Sequence, residues 1–127
     1  FSKLQLAMPA EMDIQKCSIT LGKFNYAVLV KGLANNIISG IEQRDAAIKI
    51  GAVGATTLIF LAGKFMMPDE KQDSLKKDPK LYASMMKKLR PEDNDVIIIG
   101  SAEDRKAAEM AAKSAALQTI RDHERHF

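Results

Sequence analysis

Apolar and polar positions change period several times along the chain, and each change predicts an element. Asp13 to Leu21 (DIQKCSITL) alternates, with Ile14, Lys16, Ser18 and Thr20 opposing Gln15, Cys17, Ile19 and Leu21, and it stops at Gly22. A period of two predicts a strand. Behind Asn25 as a cap, Tyr26, Leu29, Val30, Leu33, Ile37 and Ile41 recur at spacings of three and four, which predicts an amphipathic helix. Gly32 inside it costs about 1 kcal/mol relative to Ala, which suggests close packing of another backbone there. Ala46 to Ile50 reads as a short β-type run broken by Gly51 and Gly54. After a Thr56 or Thr57 cap, Leu58 to Met67 is apolar almost all round, predicting a second helix that Pro68 closes. Both sides of such a helix need cover, from the domain or from a partner subunit.

From residue 69 to 95 the sequence turns charged, punctuated by Pro79 and Pro91 after Pro68, and it reads as an insertion. Within it Leu81, Met85 and Leu89, helped by Met86, predict a short helix whose other face carries Lys80, Lys87 and Lys88. Val96 to Ile99 is four consecutive β-formers without polar alternation, as in a central strand covered on both faces. Gly100 and Ser101 turn the chain, and Ser101 with Asp104 resembles a capping box. A third helix runs from there to about Arg121 on a stripe of Ala107, Met110, Ala111, Ser114, Leu117 and Ile120, with Glu109 and Lys113 paired outside. The polar tail RDHERHF is expected to fray.

Composition narrows the class without naming a function. With 127 residues, 46% hydrophobic and 28% charged, the chain matches a single compact globular domain, not a disulfide scaffold or a collagen-like repeat. Nineteen basic against 16 acidic residues leave a net charge of +3, which permits an anionic partner without requiring one. That excess sits entirely in residues 1–67. The solitary Cys17 has no bridging partner and fits a reducing, intracellular setting, with cytoplasm and organelle matrix both open. Because it begins at Phe1, the chain is either processed or part of a longer one. The most lipid-like stretch, Ile50 to Gly63, is 14 residues long, against the roughly 20 a membrane span requires.

Catalytic constellations are missing. His123 and His126 sit three apart in the tail, where a metal site and a solvated terminus are both conceivable; the second is favoured. No Ser lies in a GxSxG elbow. The expectation is a protein without catalytic residues, cofactor or metal. Two strand-to-helix junctions, IKIGAVGATT and VIIIGSAED, could bring backbone amides near a phosphate, but the first lacks a Walker lysine and GxGxxG spacing, and the second places Glu103 and Asp104 where an anion would sit.

The order strand, Gly-Lys loop, helix, glycine-bearing strand and apolar helix ending at Pro resembles the Alba-like fold over Met12 to Pro68. Within that fold it is most similar to the stage V sporulation protein S family, through MDIQKCSI, AVLVKGLANNIISG, AAIKIGAVGA and LIFLAGKFMMP. LGKFNY is similar to Alba itself. The resemblance implies a small α/β sandwich with a β-α-β-α core, followed here by the charged insertion, one more strand and a C-terminal helix. It also implies a homodimer that contacts the DNA or RNA backbone without sequence specificity. Lys23, Asn25 and Tyr26, with Lys49, Gly51 and Gly54, would form the nucleic-acid site, and Leu58, Phe60, Leu61 and Phe65 the dimer interface. Alba's loop arginine is absent, Ala52, Val53 and Ala55 standing there. The alternative is a non-enzymatic subunit of a larger assembly, docking through the apolar second helix and the alanine-rich C-terminal helix.

Overall fold

The computed structural model describes residues 8–14, 22–34, 37, 40–68 and 73–125. Gln15 to Leu21 of the expected first strand, including Cys17, and the side chains of His123 and His126 lie outside the described residues. Among the described residues five strands and three helices follow in the order β1 (Ala10–Ile14), β2 (Phe24–Val30), α1 (Ile41–Lys49), β3 (Gly54–Leu61), β4 (Lys64–Met66), α2 (Pro79–Leu89), β5 (Asp95–Ala102) and α3 (Arg105–Arg125). The strands form one sheet in the order β1-β2-β5-β3-β4, every neighbour antiparallel. The chain is thus a small α/β domain, with the VIII run in the central strand as its uninterrupted β-formers require.

Among the described residues of 12–68 the element order is β-β-α-β-β, not β-α-β-α. The helix expected from Asn25 to Ile41 begins instead as strand β2, because FNYAVLV packs β-favouring residues that are covered on both sides. The β-type run at Ala46 to Ile50 is the end of helix α1, whose Glu42, Gln43, Arg44, Ala46 and Ala47 are good or adequate helix formers. Leu58 to Met67 is two strands joined by a tight turn at Ala62 and Gly63, both with positive φ. Its all-round apolarity is the mark of a doubly covered strand, as in the VIII run.

Alternation along the strands makes two cores. On the first face Tyr26, Val28, Val30, Val96 and Ile98 pack under α3, which lays down Ala108, Ala111, Ala112, Ala115 and Ala116. These small side chains let helix and sheet come close. At Gly100 an added Cβ would land on the Ala108 carbonyl oxygen and the Ala112 amide nitrogen, so only glycine fits there. Helix α1 completes this face, with Gln43 donating to Thr119 Oγ1 at 2.8 Å and Thr119 donating to the Ala115 carbonyl at 2.9 Å. On the second face Met12, Ile14, Ala27, Leu29, Leu58, Phe60, Phe65, Ile97 and Ile99 are roofed by Met85 and Leu89 of α2. The charged segment 69–95 therefore supplies half of a core as well as surface charge. Asp78 caps α2 by accepting from Leu81 N at 3.1 Å, and Asp104 accepts from Ala107 N at 2.8 Å as α3 begins.

Candidate anion-binding groove

Strand β1 is the outer strand of the sheet, and α2 runs beside it across the second face. Between them lies an open cleft of about 810 Å³. Its floor is apolar, from Met12 and Ile14 of β1 and Leu81 of α2; its walls carry Lys23 on the sheet side and Lys80, Ser84 and Lys88 on the helix side. The spacing of Lys80, Ser84 and Lys88, four residues apart, puts them on one stripe of the helix. A second cleft of about 470 Å³ shares Lys88 and is lined by Ala10, Lys31, Lys87, Arg90 and Glu92, and the groove comprises these two adjoining clefts.

The groove's charge is largely uncompensated. Among the described residues, Lys23, Lys80, Lys87, Lys88 and Arg90 have no carboxylate within ion-pair distance, nor do the neighbouring exposed Lys76 and Lys77. Lys31 differs, since it binds Asp95 at 2.5 Å and Glu92 at 2.8 Å. Burial opposes its charge, but these two partners outweigh burial and raise its pKa. Asp95, 1% exposed, also accepts from the amides of Gly32 and Glu92 at 2.9 and 2.8 Å, which fixes that end of the groove. The other two carboxylates at the groove are also committed. Asp13 is held by Arg105 through two hydrogen bonds of 2.8 and 3.1 Å, and Asp78 caps α2.

Across β1, on the side facing α3, the charges cancel. Lys113 bonds Glu109 at 2.6 Å and meets Glu11 at 3.3 Å; Arg105 meets Glu109 at 3.6 Å as well as Asp13. These contacts hold Glu109 below its usual pKa, chiefly through Lys113, and lift Lys113, chiefly through Glu109. Beneath them Tyr26 is 5% exposed, with the Arg105 guanidinium 5.5 Å and the Lys113 ammonium 5.9 Å from its ring centre. Burial, then the hydrogen bond to Glu11 and the nearby negative charges, push the Tyr26 hydroxyl up to about 12.

The residues expected to form the nucleic-acid site are therefore dispersed. Lys23 lies on the groove. Asn25 is 3% exposed and committed inside, donating to the Gly22 carbonyl at 3.1 Å and accepting from Ser101 Oγ at 2.6 Å. Tyr26 is core. Lys49 opens onto a separate cleft of about 450 Å³ between α1 and α3, beside Glu42, Asp45 and Arg121. Gly51, with φ of 90°, ends α1 as a left-handed cap. Gly54 is buried at the start of β3, opposite Ser101. Nor can the expected interface serve: Leu58, Phe60 and Phe65 fill the second core, the two Phe rings 4.8 Å apart, and Leu61 is half-buried at the hairpin. The alanine stripe of α3 is likewise spent on the sheet. Sequence reasoning placed Lys80, Lys87 and Lys88 on one face of a short helix but did not count them among the site residues, because their neighbour Lys23 is distant in sequence.

An antiparallel sheet with helices on both faces defines the class, and comparison with known proteins defines the family. The family described as a domain of unknown function (DUF4443) matches residues 21–120, and the chain belongs to it. Among solved structures it is similar to the hypothetical protein PH0730 from Pyrococcus horikoshii OT3, with a TM-score of 0.76 and 24% identity over 95% of this chain. The chain spans 61% of that protein's length, and the likeness concerns the fold alone. No curated protein matches the sequence. Among the described residues no helix is long and apolar enough to cross a membrane, and no group of His, Cys, Asp and Glu could hold a metal ion.

Proposed function

We propose that this chain is a non-enzymatic nucleic-acid-binding domain that holds phosphates in the β1/α2 groove. One observation carries the reading: Lys23, Lys80, Lys87, Lys88 and Arg90 line two adjoining clefts and have no carboxylate partner among the described residues, while Arg105 and Lys113 across β1 are paired. Unpaired lysines cost little to present to a polyanion, because no existing ion pair has to be broken, and they contact phosphate without reading sequence. The test is a salt titration of binding to short oligonucleotides. Lys80→Glu with Lys88→Glu is expected to weaken binding at least about tenfold and to lower the salt slope by about one per lysine. Lys49→Glu with Lys106→Glu, an equal change at two exposed lysines of α1 and α3 away from the groove, leaves both unchanged. Equal effects of the two charge changes would reduce the reading to net charge alone.

A second reading, self-association, is favoured by exposed apolar side chains on α1 and the loop after it. Ile41, Ile48, Ile50 and Val53 are each between 43% and 51% exposed, and the seven-residue spacing of Ile41 and Ile48 puts both on one helix face. A dimer formed there is lost in Ile48→Asp. A sedimentation coefficient that is independent of concentration and unaltered by that change would exclude it.

A further inference from the structure

Resting on the self-association reading, we propose that α1 is the two-fold interface of a homodimer, laid antiparallel on α1 of a second copy with Arg44 and Asp45 at the axis. Helix α1 has two faces. Gln43 and Ala47 are buried in the domain, where Gln43 meets Thr119 of α3. The outer face carries Ile41, Arg44, Asp45 and Ile48, at spacings of three, four and seven that keep them on one stripe. All four are exposed, Arg44 and Asp45 with 53% and 58% of their side chains in solvent. Their mutual contact, 3.9 Å between neighbours in sequence, is long for an ion pair and leaves both charges facing outward.

This stripe is complementary to its own reverse. Counted from the point midway between Arg44 and Asp45, Ile41 and Ile48 stand equally far out, about 5 Å along the helix, and the two central charges are opposite. Turning a second helix end for end therefore sets Ile41 level with Ile48 of the second copy, and Arg44 level with its Asp45. A patch that meets its own copy in this way is isologous and closes at two subunits. A parallel pairing would instead stack Arg44 on Arg44 and Asp45 on Asp45, which is repulsive. Reversal also brings the acidic first turn, with Glu42, beside the basic last turn, with Lys49. With equal and opposite charges at its centre, the stripe has no net sign with which to select an acidic or a basic partner; its fit is to itself. Ile50 and Val53, exposed just past the helix, extend the apolar surface at the end laid beside the second copy's Ile41. The contact leaves both grooves open, because α1 covers the first face of the sheet and α2 the second.

Sedimentation of the full chain over a concentration series tests the arrangement, using Arg44→Asp, Asp45→Arg, an equimolar mixture of the two, and the double exchange. The patch is smaller than the roughly 800 Å² per partner of a standard interface, so the unaltered dimer is expected to form at about 100 µM. Close to the axis each single exchange gathers four like charges, and it is expected to weaken the homodimer at least about tenfold. Mixing the two single variants sets two acids against two bases and is expected to give a heterodimer at least as tight as the original. The double exchange restores the homodimer. Rescue by mixing is what a merely structural role of either side chain would not produce. Single exchanges that leave the dimer intact, or a mixture that stays monomeric, overturn the antiparallel arrangement; self-association through α1 then stands if Ile48→Asp still dissociates the unaltered dimer. A chain that is monomeric throughout the series overturns both.

Discussion

On the side of β1 that faces α3, Glu11 and Asp13 are answered by Lys113 and Arg105, and the helix lies so near the sheet that Gly100 has no room for a methyl group. On the side that faces α2, Met12 and Ile14 go into the core, and Lys80 and Lys88 overlook them with no acidic partner among the described residues. One strand of five residues thus separates a neutralised, close-packed region from an open, positively charged one. The difference teaches where each kind of function belongs. Paired charges and small side chains serve cohesion; unpaired charges above an open cleft store an attraction that a ligand can use. Asp13 joins the two regions. It lines the groove, but Arg105 holds its charge, so the packed side keeps the open side positive.

If this contrast is right, substitutions on the two sides separate stability from binding. The largest expected effect is Gly100→Ala, whose methyl group must displace α3 at Ala108 and Ala112; overpacking of this kind costs about 3 kcal/mol. Urea denaturation measures it, and a loss below about 0.5 kcal/mol would show that α3 is free to move. The paired lysine changes in the groove should do the reverse, leaving the denaturation midpoint in place while binding falls.

A smaller effect sharpens the comparison through pH. Tyr26 has its pKa raised from 10.0 to about 12 in the folded chain, so folding favours the protonated phenol. Its contribution is complete below pH 10.0 and disappears as pH rises through about 12. Lys31 and Lys113, also raised, lose their contributions toward the same alkaline end. Tyr26→Phe should therefore cost about 1 kcal/mol at neutral pH and flatten the alkaline decline without abolishing it. An identical decline in the variant would remove Tyr26 from the account. Groove binding at neutral pH should be indifferent to the change.

The parts of this architecture that could be read in advance are those where a local pattern has one outcome. Val96 to Ile99 could only be a covered strand, and the helix expected to Arg121 is there, but its buried face is Ala108, Ala111, Ala112, Ala115 and Ala116 and not the expected stripe, whose Met110 is 52% exposed. Leu81, Met85 and Leu89 likewise marked α2. Where apolar residues are dense, period three and four cannot be told from a strand buried on both faces, and Tyr26 to Leu33 and Leu58 to Met67 were misread for that reason. Lys23 was legible at the groove because a loop lysine beside a strand stays exposed in almost any fold. Asn25 was not legible as an internal brace, because its partner Ser101 is 76 residues away.

By itself the sequence determined the α/β class, the central strand, the two later helices and a cationic stripe on one of them. These follow from local propensity and periodicity, which act over a few residues. Only the tertiary structure decided that β1 lies at the sheet edge beside α2, that Arg105 silences Asp13 across 92 positions, and that Lys23 joins Lys80 and Lys88 while Lys49 stands apart. Such neighbours are chosen by strand order, which is set by the sum of many distant contacts and which no segment encodes alone.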